Sequence, residues 1–222
     1  NLKHWAGLIV ATDQQAADLK ARVGKAVPIY TISPATEQVG AASEKDRLAG
    51  QVIAVGRTGD DKGTPALIQA FKAVHASVPN AKLTIYGYGG DHAAYQQQIE
   101  AAGLAGVVTL ADYRRDLTGA YGTAQLFVDT SESDNLPLAM GEALAHGLPV
   151  VSYDYQYGPA ELVDDSCGRL VKVGAIDQLT KQITTILLDD KLRQKLAAGA
   201  LEKAKQVTSG TAAWAAWEQL LA

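Results

Sequence analysis

Two carboxylates, Asp134 and Glu142, flank a helix start in the stretch DNLPLAMGEALAHGLPVVSYD, residues 134–154. Pro137 has a fixed φ and no amide to leave unpaired, so it suits the first turn of a helix over 137–147, with Gly147 at its end. Asp134 is then expected in the loop and Glu142 about a turn and a half inside the helix. A helix start presents unpaired amides and a partial positive charge, where a diphosphate can dock. Glu142 offers a carboxylate to ribose hydroxyls, and Asp134 offers one to sugar hydroxyls. The same residues also read as an N-cap (Asp134 or Asn135) and a surface helix acid, and the residue types leave both readings open.

Two cations stand in a comparable place. In VGRTGDDKGTPALIQAF (55–71) a strand ends in Gly56 and Arg57, and a loop with Gly59 and Gly63 carries Lys62 to the next helix start. Cations at a strand tip beside helix amides suit a phosphate or diphosphate, although a solvated polar loop fits the same residues. The Gly-Lys-Ser/Thr ending of a P-loop is missing. In IYGYGG (85–90), Gly87 and its neighbours let backbone approach a ligand closely, or simply turn the chain. They do not form the Gly-x-Gly-x-x-Gly of a dinucleotide site. Tyr153, Tyr155 and Tyr157 alternate after a strand, which does not decide which of them faces a ligand.

The elements that must position these residues alternate. Apolar runs at 7–12, 27–33, 51–57, 81–90, 107–111, 125–131, 149–154 and 167–174 read as strands. Helical stretches at 13–24, 64–79, 92–103, 115–124, 137–147 and 158–165 separate them, and 175–222 is mostly helical. Residues 34–50 show no clear period and read as loop or linker. This order predicts an α/β fold, a parallel sheet with helices on both faces. Such sheets bind ligands at the carboxyl ends of their strands, where Arg57, Lys62 and Asp134 fall.

The 222 residues suffice for one large domain or about two small ones. A net charge of −4 gives no broad nucleic-acid surface, and no nucleic-acid partner is expected. One Cys excludes an intrachain disulfide and fits a reducing, cytoplasmic compartment. No apolar run approaches the roughly 18 residues of a membrane span. The four His and Cys167 show no metal-ligand spacing. The start, Asn-Leu-Lys-His-Trp, is neither an initiator Met nor a signal peptide, so the chain reads as a fragment.

Together, GRTGDDKGTPALIQAF, DNLPLAMGEALAHGLPVVSYD and YGPAELV resemble the C-terminal, nucleotide-sugar-binding domain of GT-B glycosyltransferases of family four, over roughly residues 50–205. SYDYQYGPAELV (152–163) resembles in particular the bacterial poly(glycerol-phosphate) α-glucosyltransferases of wall teichoic acid synthesis. The resemblance implies a Rossmann-like domain of a retaining hexosyltransferase that needs neither metal nor cofactor. Arg57 and Lys62 would hold the donor diphosphate and stabilise the leaving UDP, and Asp134 would stand in the first acid position near the donor sugar. Glu142 would bind the ribose. Backbone around Asn135, Leu136, Pro137 and Leu138 would contact sugar or phosphate, with Gly56 and Gly87 as further donor contacts. Tyr113 and Arg114 fall where the family contacts the base. The first acid is usually Glu followed by Gly-Phe-Gly; here it is Asp followed by Asn-Leu-Pro, one methylene shorter. Glu132 is a rival whose ten-residue separation from Glu142 fits less well.

The resemblance also implies a domain plan. Residues 1–35 would be the remnant of an acceptor domain plus linker, and 36–222 the nucleotide-sugar-binding domain with C-terminal helices. The last helix, with Trp214 and Trp217, either crosses back onto the missing domain or packs on this one. The implied partners are a UDP-sugar, UDP-glucose first, and a glycan or polyol-phosphate acceptor held by the missing domain. Peripheral membrane association of the full-length enzyme and self-association through an exposed inter-domain face follow from the same plan. Rival readings are transfer from UDP-GlcNAc to a protein or polysaccharide, a non-catalytic nucleotide-sugar-binding partner subunit, and an NAD-binding domain.

Overall fold

The structure is a computed structural model that describes residues 4–36, 40, 43–90, 92–208 and 210–221. Within the linker expected at 34–50, residues 37–39 and 41–42 lie outside the described residues. A small parallel sheet comes first: β1 (Leu8–Val10) and β2 (Ile29–Thr31), joined by α1 (Asp13–Val23). Thr12 starts α1 with a capping box, its hydroxyl accepting from the Gln15 amide while the Gln15 side chain accepts from the Thr12 amide.

The main sheet has six strands: β3 (Gln51–Val55), β4 (Lys82–Gly87), β5 (Val108–Asp112), β6 (Leu126–Asp129), β7 (Val150–Asp154) and β8 (Gly168–Lys172). Their spatial order is β5-β4-β3-β6-β7-β8, and every neighbouring pair is parallel. The connections carry α2 (Thr64–Ser77), α3 (His92–Ala101), α4 (Thr118–Thr123), α5 (Leu138–Ala145) and α6 (Pro159–Leu162). Then follow α7 (Ile176–Leu188), α8 (Asp190–Val207) and α9 (Gly210–Leu221).

The period of two along each strand divides the core. Val52, Ala54, Leu126, Val128 and Val151 join one apolar cluster with Leu67, Phe71 and Val74 of α2. Ile53, Phe127 and Val150 point the other way, to Met140 and Leu144 of α5. A sheet buried on both faces needs continuously apolar strands, which is why these runs carry no polar alternation. Each of these Val, Leu, Ile, Phe and Met side chains contributes about 1.5–3 kcal/mol by leaving water.

The chain builds β3, β4 and β5 outward in one direction, then returns to place β6 on the other side of β3. No connection crosses above that seam, so the loops after β3 and β6 open a crevice at the strands' carboxyl ends.

Some boundaries differ from the expectation. α4 begins at Thr118 rather than 115, because the Asp116 carboxylate takes the Thr118 amide at 2.9 Å and holds the preceding residues out of the helix. Pro137, expected in the first turn of its helix, is the residue before it, with ψ 92°, and α5 starts at Leu138. α9 buries none of its described side chains; Trp214 is 67% exposed and Trp217 39%. Its Ala212, Ala213 and Ala216 share a groove with Thr31, Ile32 and Ser33. Among the described residues no helix is long and apolar enough to cross a membrane.

Candidate active site

A cleft of about 290 Å³ lies over the seam between β3 and β6, lined by Gly56, Arg57, Lys62, Asp134 and residues 136–140. Gly63 makes it possible. Its φ is +65°, and a Cβ there would fall on the Thr130 carbonyl, so only glycine lets the start of α2 sit this close to the end of β6. The Thr130 hydroxyl donates to the Lys62 and Gly63 carbonyls at 3.2 and 3.1 Å and fastens the contact. Lys62 is thereby carried across the seam. Its Nζ donates to Asp134 Oδ2 and to the Ser133 carbonyl, both at 2.9 Å. Arg57 donates to Asp61 Oδ2 at 2.5 Å.

Both cations are therefore paired with carboxylates of the chain itself. The side chains are 17% and 38% exposed in the Lys62–Asp134 pair, and 51% and 54% in the Arg57–Asp61 pair. Pairs this open to solvent contribute about 0–1 kcal/mol. Cations held this weakly are open to an anion with more charge and several acceptor oxygens.

At the cleft wall, the amides of Leu138 and Ala139 begin α5 and have no acceptor among the described residues. The floor is fixed by Asp129, at the end of β6. Its Oδ1 accepts from the Ser131 amide and hydroxyl at 2.9 and 2.7 Å, and its Oδ2 from the Tyr155 hydroxyl at 2.9 Å. Burial first, then the Asp129 charge, push the Tyr155 phenol far above its usual range, so it remains a donor.

A second chamber of about 740 Å³ adjoins the first, with Val55, Leu138 and Ala139 lining both. Glu142 lines it, with Tyr113, Arg114, Tyr121 and His146. The Arg114 guanidinium lies 5.8 Å from the Tyr86 ring centre. Tyr113 meets Tyr88 edge-on at 5.9 Å. The carboxylate of Glu142 accepts from the Tyr121 hydroxyl at 2.8 Å.

Arg57, Lys62, Asp134, Gly56, Leu136, Pro137 and Leu138 thus meet around one cleft, and Glu142, Tyr113 and Arg114 around the adjoining chamber. Two of the expected residues, Asn135 and Gly87, line neither cavity. Asn135 does not line the cleft: its amide is taken by Asp134 Oδ1 at 2.7 Å, its carbonyl accepts from Gln15 at 3.0 Å, and it faces a separate groove beside α1. Pro137 has no amide, so the helix-start donors are Leu138 and Ala139. Gly87 is buried, and a Cβ there would collide with the Gly56 carbonyl, so its lack of a side chain lets β4 lie against Gly56. The rival Glu132 is absent from the lining, and its amide bonds to the Asp61 carbonyl at 3.2 Å. Asp129 and Tyr121 sit in no motif of the sequence, His146 lies within one that gives it no role, and Tyr155 stands there only as one of three alternating tyrosines. Each acts through a partner on another element, and only the alternating tyrosines after β7 hinted at one of them.

Chemically, the cleft offers two cations and a helix start to a diphosphate, and the chamber offers a carboxylate to a diol and flat side chains to a ring. The profile of the glycosyl transferases of group 1 matches residues 37–203. The poly(glycerol-phosphate) alpha-glucosyltransferase of Bacillus subtilis (strain 168) is 31% identical over 157 residues, 70% of this chain and 23% of that protein. The GtfA subunit of the UDP-N-acetylglucosamine–peptide N-acetylglucosaminyltransferase of Streptococcus gordonii is 25% identical over 224 residues, 96% of this chain and 44% of that one. Among solved structures, a mutant of S. aureus TarM in complex with fondaparinux, alpha-GlcNAc-glycerol and UDP superposes with a TM-score of 0.92 at 25% identity, over 99% of this chain and 44% of its own. The chain spans less than half the length of these relatives.

Proposed function

We propose a function from one premise: the chain belongs to the glycosyl transferases of group 1. It carries the donor site of a retaining glycosyltransferase, and the donor is a UDP-sugar, UDP-glucose first. The observation that carries this reading is the seam itself, where Arg57, Lys62 and the start of α5 surround one cleft and Glu142 lines the chamber beside it. The diphosphate lies across the two cations and the Leu138 and Ala139 amides, and the nucleoside occupies the chamber. As the glycosidic bond to the diphosphate breaks, negative charge grows on the leaving oxygen. Fixed cations and amides stabilise that charge without reorganising. The same cations make a metal ion unnecessary. Once the diphosphate takes Lys62, Asp134 is released to accept from hydroxyls of the donor sugar.

The acceptor is a poly(glycerol phosphate) of the wall teichoic acid type. The reading is supported by the name of the Bacillus relative and by the α-GlcNAc-glycerol bound in the TarM complex. The match to GtfA subunits over nearly the whole chain favours a second reading, GlcNAc transfer to a protein. In either case a further domain supplies the acceptor surface, the two domains close for turnover, and the enzyme works in the cytoplasm or at its membrane face.

Calorimetric titration with UDP in EDTA tests the donor site. The expected result is micromolar to low-millimolar binding that Lys62→Ala weakens roughly tenfold or more, since it removes a hydrogen bond between charged groups. NAD is expected not to bind. Absence of UDP binding, or an unaffected Lys62→Ala variant, overturns the reading.

A further inference from the structure

We infer that Tyr121 is a positioning residue for the nucleotide: it holds the Glu142 carboxylate so that one oxygen remains to accept from the ribose diol. The inference rests on the donor-site reading above. Glu142 has three rotatable bonds and projects from the second turn of α5 into an open chamber. Such a side chain loses considerable rotamer freedom on binding a ligand unless it is held beforehand. The Tyr121 hydroxyl holds it, donating to Oε2 at 2.8 Å, and the other oxygen has no partner among the described residues.

The tyrosine is itself immobile. It is 2% exposed, and its ring stacks on His146 at 5.0 Å and lies 6.4 Å from Phe127. His146 Nδ1 lies 2.8 Å from the Glu142 carbonyl, which can only accept, so this nitrogen carries the proton. Nε2 is then left buried and without a partner among the described residues. The stack thus joins Tyr121 to the same residue from two directions. Arg47, in the linker before β3, closes the arrangement. It donates to the Tyr121 and Ala124 carbonyls at the end of α4, at 3.4 and 2.5 Å, and to the His146 and Gly147 carbonyls at the end of α5, at 2.9 and 3.1 Å. The helices bearing donor and acceptor are pinned to one guanidinium. Burial first, then the Glu142 charge, raise the Tyr121 phenol far above its usual range, so the donor persists wherever the protein stays folded.

The test compares UDP with 2′,3′-dideoxy-UDP, which keeps the base and diphosphate and lacks the diol. Tyr121→Phe preserves the ring and removes only the hydroxyl. The expected result is a fall of about five- to tenfold in UDP affinity, with dideoxy-UDP affinity unchanged. In a Glu142→Ala background the same substitution is expected to add nothing, because the group it positions is gone. Unchanged dideoxy-UDP binding also reports a folded site. Equal weakening of both ligands, an unaltered UDP affinity, or additive losses in the double variant would overturn the positioning role while leaving the donor site standing. A wild-type chain that binds neither ligand overturns the donor-site reading and this inference together.

Discussion

The cations of the cleft are already occupied, and this decides how substitutions there behave. Lys62 is held by Asp134 at 2.9 Å, with both groups part-exposed. A free UDP must break that pair and then lie near the released carboxylate. Asp134→Asn removes the competitor and one repelling charge, so free UDP is expected to bind about two- to fivefold more tightly, the range set by an exposed pair. Titration of the variant with UDP checks this, and an unchanged or weakened affinity would show that the pair does not compete with the phosphate. Lys62→Ala moves in the opposite direction, so the two substitutions separate the roles of a pair that looks symmetrical. These residues were legible in the sequence because each sits in a motif with a turn and a helix start around it. Tyr121 and Asp129 were not, because their partners, Glu142 and Tyr155, lie 21 and 26 residues away on other elements. A hydrogen bond across elements leaves no period.

At the scale of elements, glycines set how closely strand ends and helix starts approach. Gly63→Ala would place a methyl group on the Thr130 carbonyl and force an L-residue into the left-handed region, at a cost of about 1–2 kcal/mol before any clash. A loss of at least about 2 kcal/mol, roughly 4–8 °C in Tm for a chain of this size, is expected by calorimetry, together with weaker UDP binding. The strands were readable because doubly buried parallel strands are continuous apolar runs. The start of α4 was missed because a side-chain bond from Asp116 overrides local propensity there.

A second element-scale prediction concerns the turn before β8. Asp164 accepts from Ser166 Oγ at 2.5 Å and from Lys203 of α8 at 2.9 Å. The Ser166 hydroxyl, then Lys203 and the Ser166 amide, hold its carboxyl down to about 2, below its ordinary 3.8. A depressed pKa contributes stability that is present above about pH 4 and lost as pH falls towards 2. Wild type is therefore expected to melt higher than Asp164→Asn at pH 6, with the gap closing between pH 4 and pH 2. A gap that persists at pH 2 would place the contribution elsewhere.

At the scale of the molecule, the small β1–α1–β2 unit meets the larger one at two loops, the one after β6 that borders the cleft and the one after β7. Gln15 donates to the Asn135 carbonyl at 3.0 Å, beside Asp134. Asp18 accepts from Tyr157 at 2.8 Å and from Gln156 at 3.1 Å, in the loop after β7. The Asp18 hydrogen bond, followed by burial, raises the Tyr157 phenol above its usual range, so that donor persists through neutral and mildly alkaline pH. A two-stranded parallel sheet has little core of its own, and its order depends on what it docks against. Asp18→Ala should therefore loosen one body and spare the other. Hydrogen exchange is expected to quicken across residues 8–31 and the 155–158 loop, while the strands of the large sheet keep their protection. Uniform quickening in both sheets would mean that they unfold as one cooperative unit. The loops carrying Asp134 and Tyr157 would then be set by global stability and not by the small sheet's docking.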